Sequence, residues 1–124
     1  MIIKKTNNTP KVIFDKENRE LSFDGATYPD DADSFFIPII SYLHNYLKEL
    51  KGNEVIVKCK FTLLNSSSAQ YMFSLFDKLN TNGNVSINWY YEEDDECMFE
   101  EGVMYKDGFS NLNFNLIGVD DFNF

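Results

Sequence analysis

The chain has 124 residues, 44% of them hydrophobic and including 12 Phe and 7 Tyr, so it can bury the core of one domain and is not a disordered chain. Its formal net charge of -9 would repel both a phosphate backbone and an anionic bilayer, which excludes nucleic acid and membrane surfaces as partners. No apolar stretch is of membrane-spanning length and Met1–Thr6 lacks the long apolar region of a secretion signal, so the expectation is one cytoplasmic domain over residues 1–124.

Residues 1–10 are polar, end in Pro10 and read as a loose N-terminus. Lys11–Asp15 and Glu20–Gly25 alternate apolar and polar side chains, with Val12 and Phe14, then Leu21 and Phe23, on one face. The short polar turn between them makes the pair an antiparallel hairpin. Asp30, Asp31 and Asp33 can each cap a helix entered at that point. Phe35, Phe36, Ile39, Ile40, Leu43, Tyr46, Leu47 and Leu50 then follow at helical spacing, and Gly52 closes the pattern. Pro38 inside the stripe predicts that the helix starts just before it or bends in its first turn. His44, the single histidine, falls off the stripe and reads as a surface residue.

Glu54–Leu64 is the longest predicted strand, with Val55, Val57, Cys59, Phe61 and Leu63 toward the core. It runs into Asn65-Ser66-Ser67-Ser68, after which Ala69, Met72, Phe73, Phe76 and Leu79 share one helix face. A strand therefore delivers three hydroxyls to a helix start, where unpaired N–H groups and a partial positive charge favour an anion. On the residues alone the plainer role is capping: Asn65 or a serine accepts from the first-turn amides, and Ser67-x-x-Gln70 fits a capping box. Beyond a loop at Thr81–Asn84, Val85, Ile87, Trp89 and Tyr91 alternate with Ser86, Asn88 and Tyr90 in a strand. The acidic run Glu92–Glu96 reads as a solvated loop that caps a short helix bearing Met98, Phe99, Gly102, Val103 and Tyr105; it lacks the alternation and glycine of a calcium loop. Leu112, Phe114 and Leu116 form a last strand, and residues 118–124 a tail.

The predicted order is β-β-α-β-α-β-α-β in an α/β, α+β-like domain. Three strands carry polar residues on their second face: Lys58 and Lys60, Ser86 and Asn88, Asn113 and Asn115. A sheet covered on both sides reads as continuous apolar runs, so the helices are expected mainly on one face of a four- to five-stranded mixed sheet. The other face is left solvated or available for docking.

The residues required for common chemistries are missing. No Gly-x-Ser-x-Gly flanks the serines, and there is no phosphate loop or dinucleotide fingerprint. Cys59 and Cys97 are too few for a zinc motif, and Cys59 lies on the apolar face of its strand. The expectation is a non-enzymatic protein without cofactor or metal.

Several pieces resemble the SiaC family of bacterial regulatory phosphoproteins, which have a STAS-like fold. They are Phe35-Phe36-x-Pro38, Leu64-Asn65-Ser66-Ser67-Ser68, Asn88-Trp89-Tyr90-Tyr91-Glu92-Glu93-Asp94-Asp95-Glu96 continuing through Cys97–Gly102, and Phe114-Asn115-Leu116-Ile117. The resemblance spans roughly residues 8–117 and outweighs simple capping as the reading of the serines. It implies a hydroxyl after the Asn that a dedicated Ser/Thr kinase phosphorylates and a metal-dependent phosphatase releases. The unphosphorylated form would bind and stimulate a signalling partner, a diguanylate cyclase in the resembled branch. Ser66, where the family usually has Thr, is then the expected phosphoacceptor ahead of Ser67 and Ser68, and Asn65–Ser68 form the switch. Two alternatives stay open: an anti-anti-sigma-like STAS binder of a regulatory kinase, and a STAS domain whose serines hold a small phosphorylated ligand.

Overall fold

A computed structural model describes residues 1–50 and 52–124. Among the described residues it contains β1 (Ile2–Ile3), β2 (Lys11–Asp15), β3 (Glu20–Thr27), α1 (Ala32–Leu50), β4 (Val55–Leu64), α2 (Ser66–Asn82), β5 (Val85–Glu92), α3 (Glu96–Gly108) and β6 (Asn113–Val119). The strands form one six-stranded sheet in sequence order, antiparallel from β1 to β3 and parallel from β3 to β6. Three crossovers all step in one direction, and with the right-handed sense that parallel crossovers adopt this puts α1, α2 and α3 on the same face, where their buried residues join one core. The mixed sheet with helices on one face is the architecture expected from the strand patterns, with one strand more than expected and with the predicted short third helix extending over 13 residues.

The added strand corrects the reading of residues 1–10. Ile2 and Ile3 pair with Ile13 and Val12, and Tyr28 donates its N–H to the Asn8 carbonyl at 2.8 Å. Pro10 is buried. Two apolar residues in a polar decapeptide show no alternation, yet they satisfy an otherwise open sheet edge. At the other end β6 continues through Gly118 to Val119, so the tail begins at Asp120. Helix α1 starts at Ala32 under an Asp31 cap, whose Oδ1 accepts from the Ser34 amide at 3.2 Å. It runs through Pro38 instead of starting beside it.

Alternation holds in β4 as far as Phe61 and then breaks. Gly25 of β3 pairs with Phe61, but Ala26 pairs with Leu63, so Thr62 is an extra residue in a bulge. A one-residue insertion reverses the side chains beyond it. Leu63, expected in the core, is consequently 48% exposed.

The core beneath the helices centres on Trp89, which is fully buried. Its ring lies 5.6 Å from Phe61, 6.4 Å from Phe76 and 5.3 Å from Tyr105, and its indole N–H donates to the Met98 carbonyl at 3.0 Å. Helical spacing puts Phe73 on the same face of α2 as Met72 and Phe76. It is instead half exposed and packs on Phe109, while Leu75 takes the buried position on α2. Helix α3 can approach the indole because residue 102 has no side chain. A Cβ at Gly102 would lie 2.5 Å from Trp89 Cδ1 and 2.6 Å from Leu116 Cδ2. Gly102→Ala should therefore cost about 1–3 kcal/mol through overpacking. Gly108→Ala, where an added Cβ meets nothing within 4 Å, should cause no comparable loss; chemical denaturation of both variants checks the contrast.

Candidate functional site

Each helix follows a parallel strand, so α1, α2 and α3 all begin at the C-terminal edge of the sheet. Open α/β sheets commonly bind ligands beyond that edge. The middle start, between β4 and α2, carries the serines.

The junction is fixed by backbone and cap. The Asn65 amide donates to the Thr27 carbonyl at 3.0 Å, tying the end of β4 to the end of β3. Asn65 caps α2: its Oδ1 accepts from the Ser68 amide at 3.0 Å and its carbonyl from the Ala69 amide at 2.9 Å. The cap is thus Asn65, and the Ser67–Gln70 capping box does not form. Ser66 and Ser67 occupy the first two helical positions and are exposed. Their amides find no acceptor among the described residues.

Ser68 differs. Its side chain is fully buried and its Oγ has no partner. The four residues predicted as a switch therefore lie together, but only Ser66 and Ser67 present hydroxyls to solvent. The first turn is also braced from both sides. Tyr105 of α3 donates its hydroxyl to the Ala69 carbonyl at 3.0 Å. Tyr71 donates to Asp33 at the start of α1 and stacks on Phe36 at 5.2 Å. This bond to Asp33 is the largest reason the Tyr71 hydroxyl titrates above its usual range.

The three helix starts differ in charge. Helix α1 has Asp33 in its first turn behind the Asp31 cap, and α3 has Glu96 behind the Asp95 cap, which accepts from Met98 N–H at 3.1 Å. Helix α2 has a neutral cap and no acidic residue in its first turn. Its positive end is the uncompensated one, and it is the end that exposes two hydroxyls.

Between β4 and α3 lies a hollow of ≈ 300 Å³ lined by Thr62, Leu63, Leu64, Asp95, Met98 and Glu101. Leu63, turned out of the core by the bulge at Thr62, is among its lining residues. Sequence periodicity placed Leu63 in the core because only the bulge reverses its orientation. Phe99, placed on a core stripe by helical spacing, is 39% exposed nearby on α3. Glu101 Oε2 is buried without a partner, and burial raises its carboxyl above the usual range. His44 is exposed as expected; the charges of Lys78 and then Lys48 lower its pKa, and Lys78 sits near the far end of α2. Cys59 is wholly buried, and desolvation pushes its thiol far above the range in which it would ionise.

The family model described as "SiaC family regulatory phosphoprotein" matches residues 3–119. No curated protein sequence matches. Among solved structures, the chain resembles a chain in the crystal structure of the diguanylate cyclase SiaD in complex with its activator SiaC from Pseudomonas aeruginosa. The TM-score is 0.89 and the identity 24%, covering 96% of this chain and 99% of that one. The crystal structure of apo-SiaC from the same organism gives a TM-score of 0.82 at 24% identity, covering 95% of this chain and 96% of that one.

Two measurements probe the site. Ser68→Ala removes a buried hydroxyl that makes no bond and should raise stability by up to about 1 kcal/mol; a loss would mean that the hydroxyl is satisfied in solution. Glu101→Gln tests the hollow by its pH dependence. A carboxyl raised by burial stabilises the fold when protonated, and that contribution is lost as pH rises through the raised value. The variant should match wild type in acid and exceed it at neutral pH; melting temperatures across the range decide.

Proposed function

The chain belongs to the SiaC family of regulatory phosphoproteins, and we propose that it works as a non-catalytic switch thrown by phosphate on Ser66. The observation that carries this reading is the contrast among the helix starts: α1 and α3 begin with acids, whereas α2 begins with a neutral cap and two exposed serines. A phosphate brings about -1.5 to -2 charges at neutral pH. At the start of α2 it would meet free amides and the positive end of the dipole, so the domain could carry it without unfolding.

Ser66 is favoured over its neighbours for separate reasons. Ser68 would have to leave the core to reach a kinase. Ser67 is exposed, but its Oγ donates to Asn65 Oδ1 at 3.4 Å, the same oxygen that caps the helix. Ser66 directly follows Asn65, as the hydroxyl does in the resembled motif. A cognate Ser/Thr kinase would add the phosphate and a metal-dependent phosphatase would remove it.

The proposed partner of the unphosphorylated form is a diguanylate cyclase, by likeness to the SiaC that activates SiaD. The partner surface would include Ser66, Leu63, Phe99 and the hollow between β4 and α3. If the partner closes over Ser66, phosphate leaves a buried charge without a counter-ion. Disrupting a buried charged contact costs about 3–5 kcal/mol, which lowers affinity roughly a hundredfold or more.

The test is phosphopeptide mapping after reaction with the cognate kinase, paired with partner pull-down from the native cell. Ser66→Ala should block phosphate incorporation, keep its melting behaviour within about 0.5 kcal/mol of wild type, and stay in the partner-binding form. Ser66→Asp, with about one charge where phosphate has nearly two, should weaken binding in part. Phosphate found only on Ser67 or Ser68 would sink the assignment. No phosphate anywhere would favour a domain that binds a phosphorylated small molecule at the same helix start.

A further inference from the structure

The face of the sheet that no helix covers is crossed by residues 120–124. We propose that this face carries a second docking site, a cationic and aromatic strip for a protein segment in which acids precede phenylalanines. In this molecule Asp120-Asp121-Phe122-Asn123-Phe124 fills it as an internal competitor.

The strip is built from several strands. Lys11 and Asp24 are register partners on β2 and β3, Lys60 lies on β4 and Tyr90 is its register partner on β5. The Lys60 ammonium sits 5.0 Å from the Tyr90 ring centroid. Lys5 joins from the loop after β1, its ammonium 4.9 Å from the Phe124 ring centroid. A side chain at Gly25 would crowd Lys5: its Cβ would lie 3.1 Å from the Lys5 Cε.

The crossing segment follows this line. A hollow of ≈ 210 Å³ lies between Lys60, Tyr90, Val119 and residues 121–124, and another of ≈ 160 Å³ between Lys5, Lys11, Asp24 and Phe124. Reaching β3 from β6 means passing three strand spacings, roughly 14 Å, and five extended residues span roughly 17 Å. The length and the path agree.

The chemistry selects the occupant. With a formal net charge of -9 the protein repels acidic segments in general, yet this strip gathers three of its 11 basic residues. Its present occupant has two aspartates and two phenylalanines, and the rings of Phe122 and Phe124 are 5.4 Å apart. The hold is light. The last backbone bond to the body is Glu93 N–H to the Val119 carbonyl at 2.9 Å. Beyond it, residues 120–124 make no hydrogen bond or ion pair among the described residues, and Phe124 is 58% exposed. A segment held by exposed cation–π and apolar contacts yields to one that makes more of them. Its advantage is only the high effective concentration of a tethered ligand. The strip and Ser66 belong to different surfaces, so this proposal stands or falls apart from the phosphoswitch.

The experiment is an NMR titration of the isotope-labelled full chain with the blocked peptide Val-Asp-Asp-Phe-Asn-Phe, matching residues 119–124. In a chain carrying Phe122→Ser and Phe124→Ser the tether no longer competes. The peptide should then shift the amides of Lys11, Lys60 and Tyr90 in a saturable way, with Kd lower than in wild type by about tenfold or more. Adding Lys60→Glu should weaken binding about tenfold while the Trp89 indole signal stays in place, which shows an intact core. A peptide carrying Asp120→Lys and Asp121→Lys should not bind. Equal affinity with and without the tail substitutions, shifts scattered over the molecule, equal binding of the lysine peptide, or no binding to any chain would each overturn the proposal.

Discussion

Three parallel crossovers that step in the same direction with the same hand govern this molecule. Sheet order equals chain order from β1 to β6, so the direction never reverses. Without a reversal the helices cannot divide between the faces. All three helix starts are thereby brought to one edge, and one broad sheet face is left free of helices. The proposed phosphoswitch uses the edge; the proposed strip uses the helix-free face. A doubly wound sheet would have covered that face and carried apolar residues where Lys58, Lys60, Asn88 and Asn115 stand. Polar residues of that face instead pair laterally: Lys58 with Glu20 at 3.1 Å, Asn115 with Asn88 at 3.1 Å, and Asn113 with Ser86 at 3.1 Å.

Holding one edge still requires that the helices not slide, and aromatic packing provides this. Trp89 occupies the middle of β5 beneath α3, and the missing side chain at Gly102 lets the helix settle on it. Tyr105, one turn on, packs against Trp89 and Phe76 and donates its hydroxyl to the Ala69 carbonyl in the first turn of α2. One buried side chain thus connects the Trp89 contact to the turn that bears the serines. The Tyr71–Asp33 bond and the Asn65–Thr27 bond add constraints from α1 and β3. The start of α2 is held from three directions, as a surface must be if a single phosphate is to change its recognition without rearranging it.

Much of this was legible in the sequence because the signals are local. Alternation at Val55–Phe61 and Val85–Trp89 marks strands buried on one side, and Asn65 followed by serines marks a helix start. The family resemblance agreed with both. What escaped was what neighbours decide. Ile2–Ile3 is a strand only because β2 offers an edge. Leu63 faces outward only because β3 and β4 slip by one residue at Gly25, a pairing invisible in either strand alone. On α2, Phe73 and Leu75 are both apolar, and 3.6-residue periodicity does not say which side of the stripe meets the sheet. Ser68 and Ser66 are chemically identical; two steps along a helix turn one into the core and leave the other in water.

Charge distinguishes the α2 start from its neighbours in a way composition cannot. A chain with 20 acidic residues would be expected to place one at each positive helix end, and α1 and α3 do so with Asp33 and Glu96. At α2 an uncharged Asn does the capping, which satisfies an amide but leaves the dipole unneutralised. An aspartate at that cap would serve a purely structural helix as well or better. It would also place a fixed negative charge beside any phosphate added to Ser66, raising the cost of modification in the domain itself. With Ser66 as the proposed phosphoacceptor, the neutral cap would keep that cost low, so the added charge would be borne by the free protein and be costly only where a partner covers it. The proposed switch would act through the difference between those two states, and the Asn65–Ser68 geometry would supply that difference without a moving part.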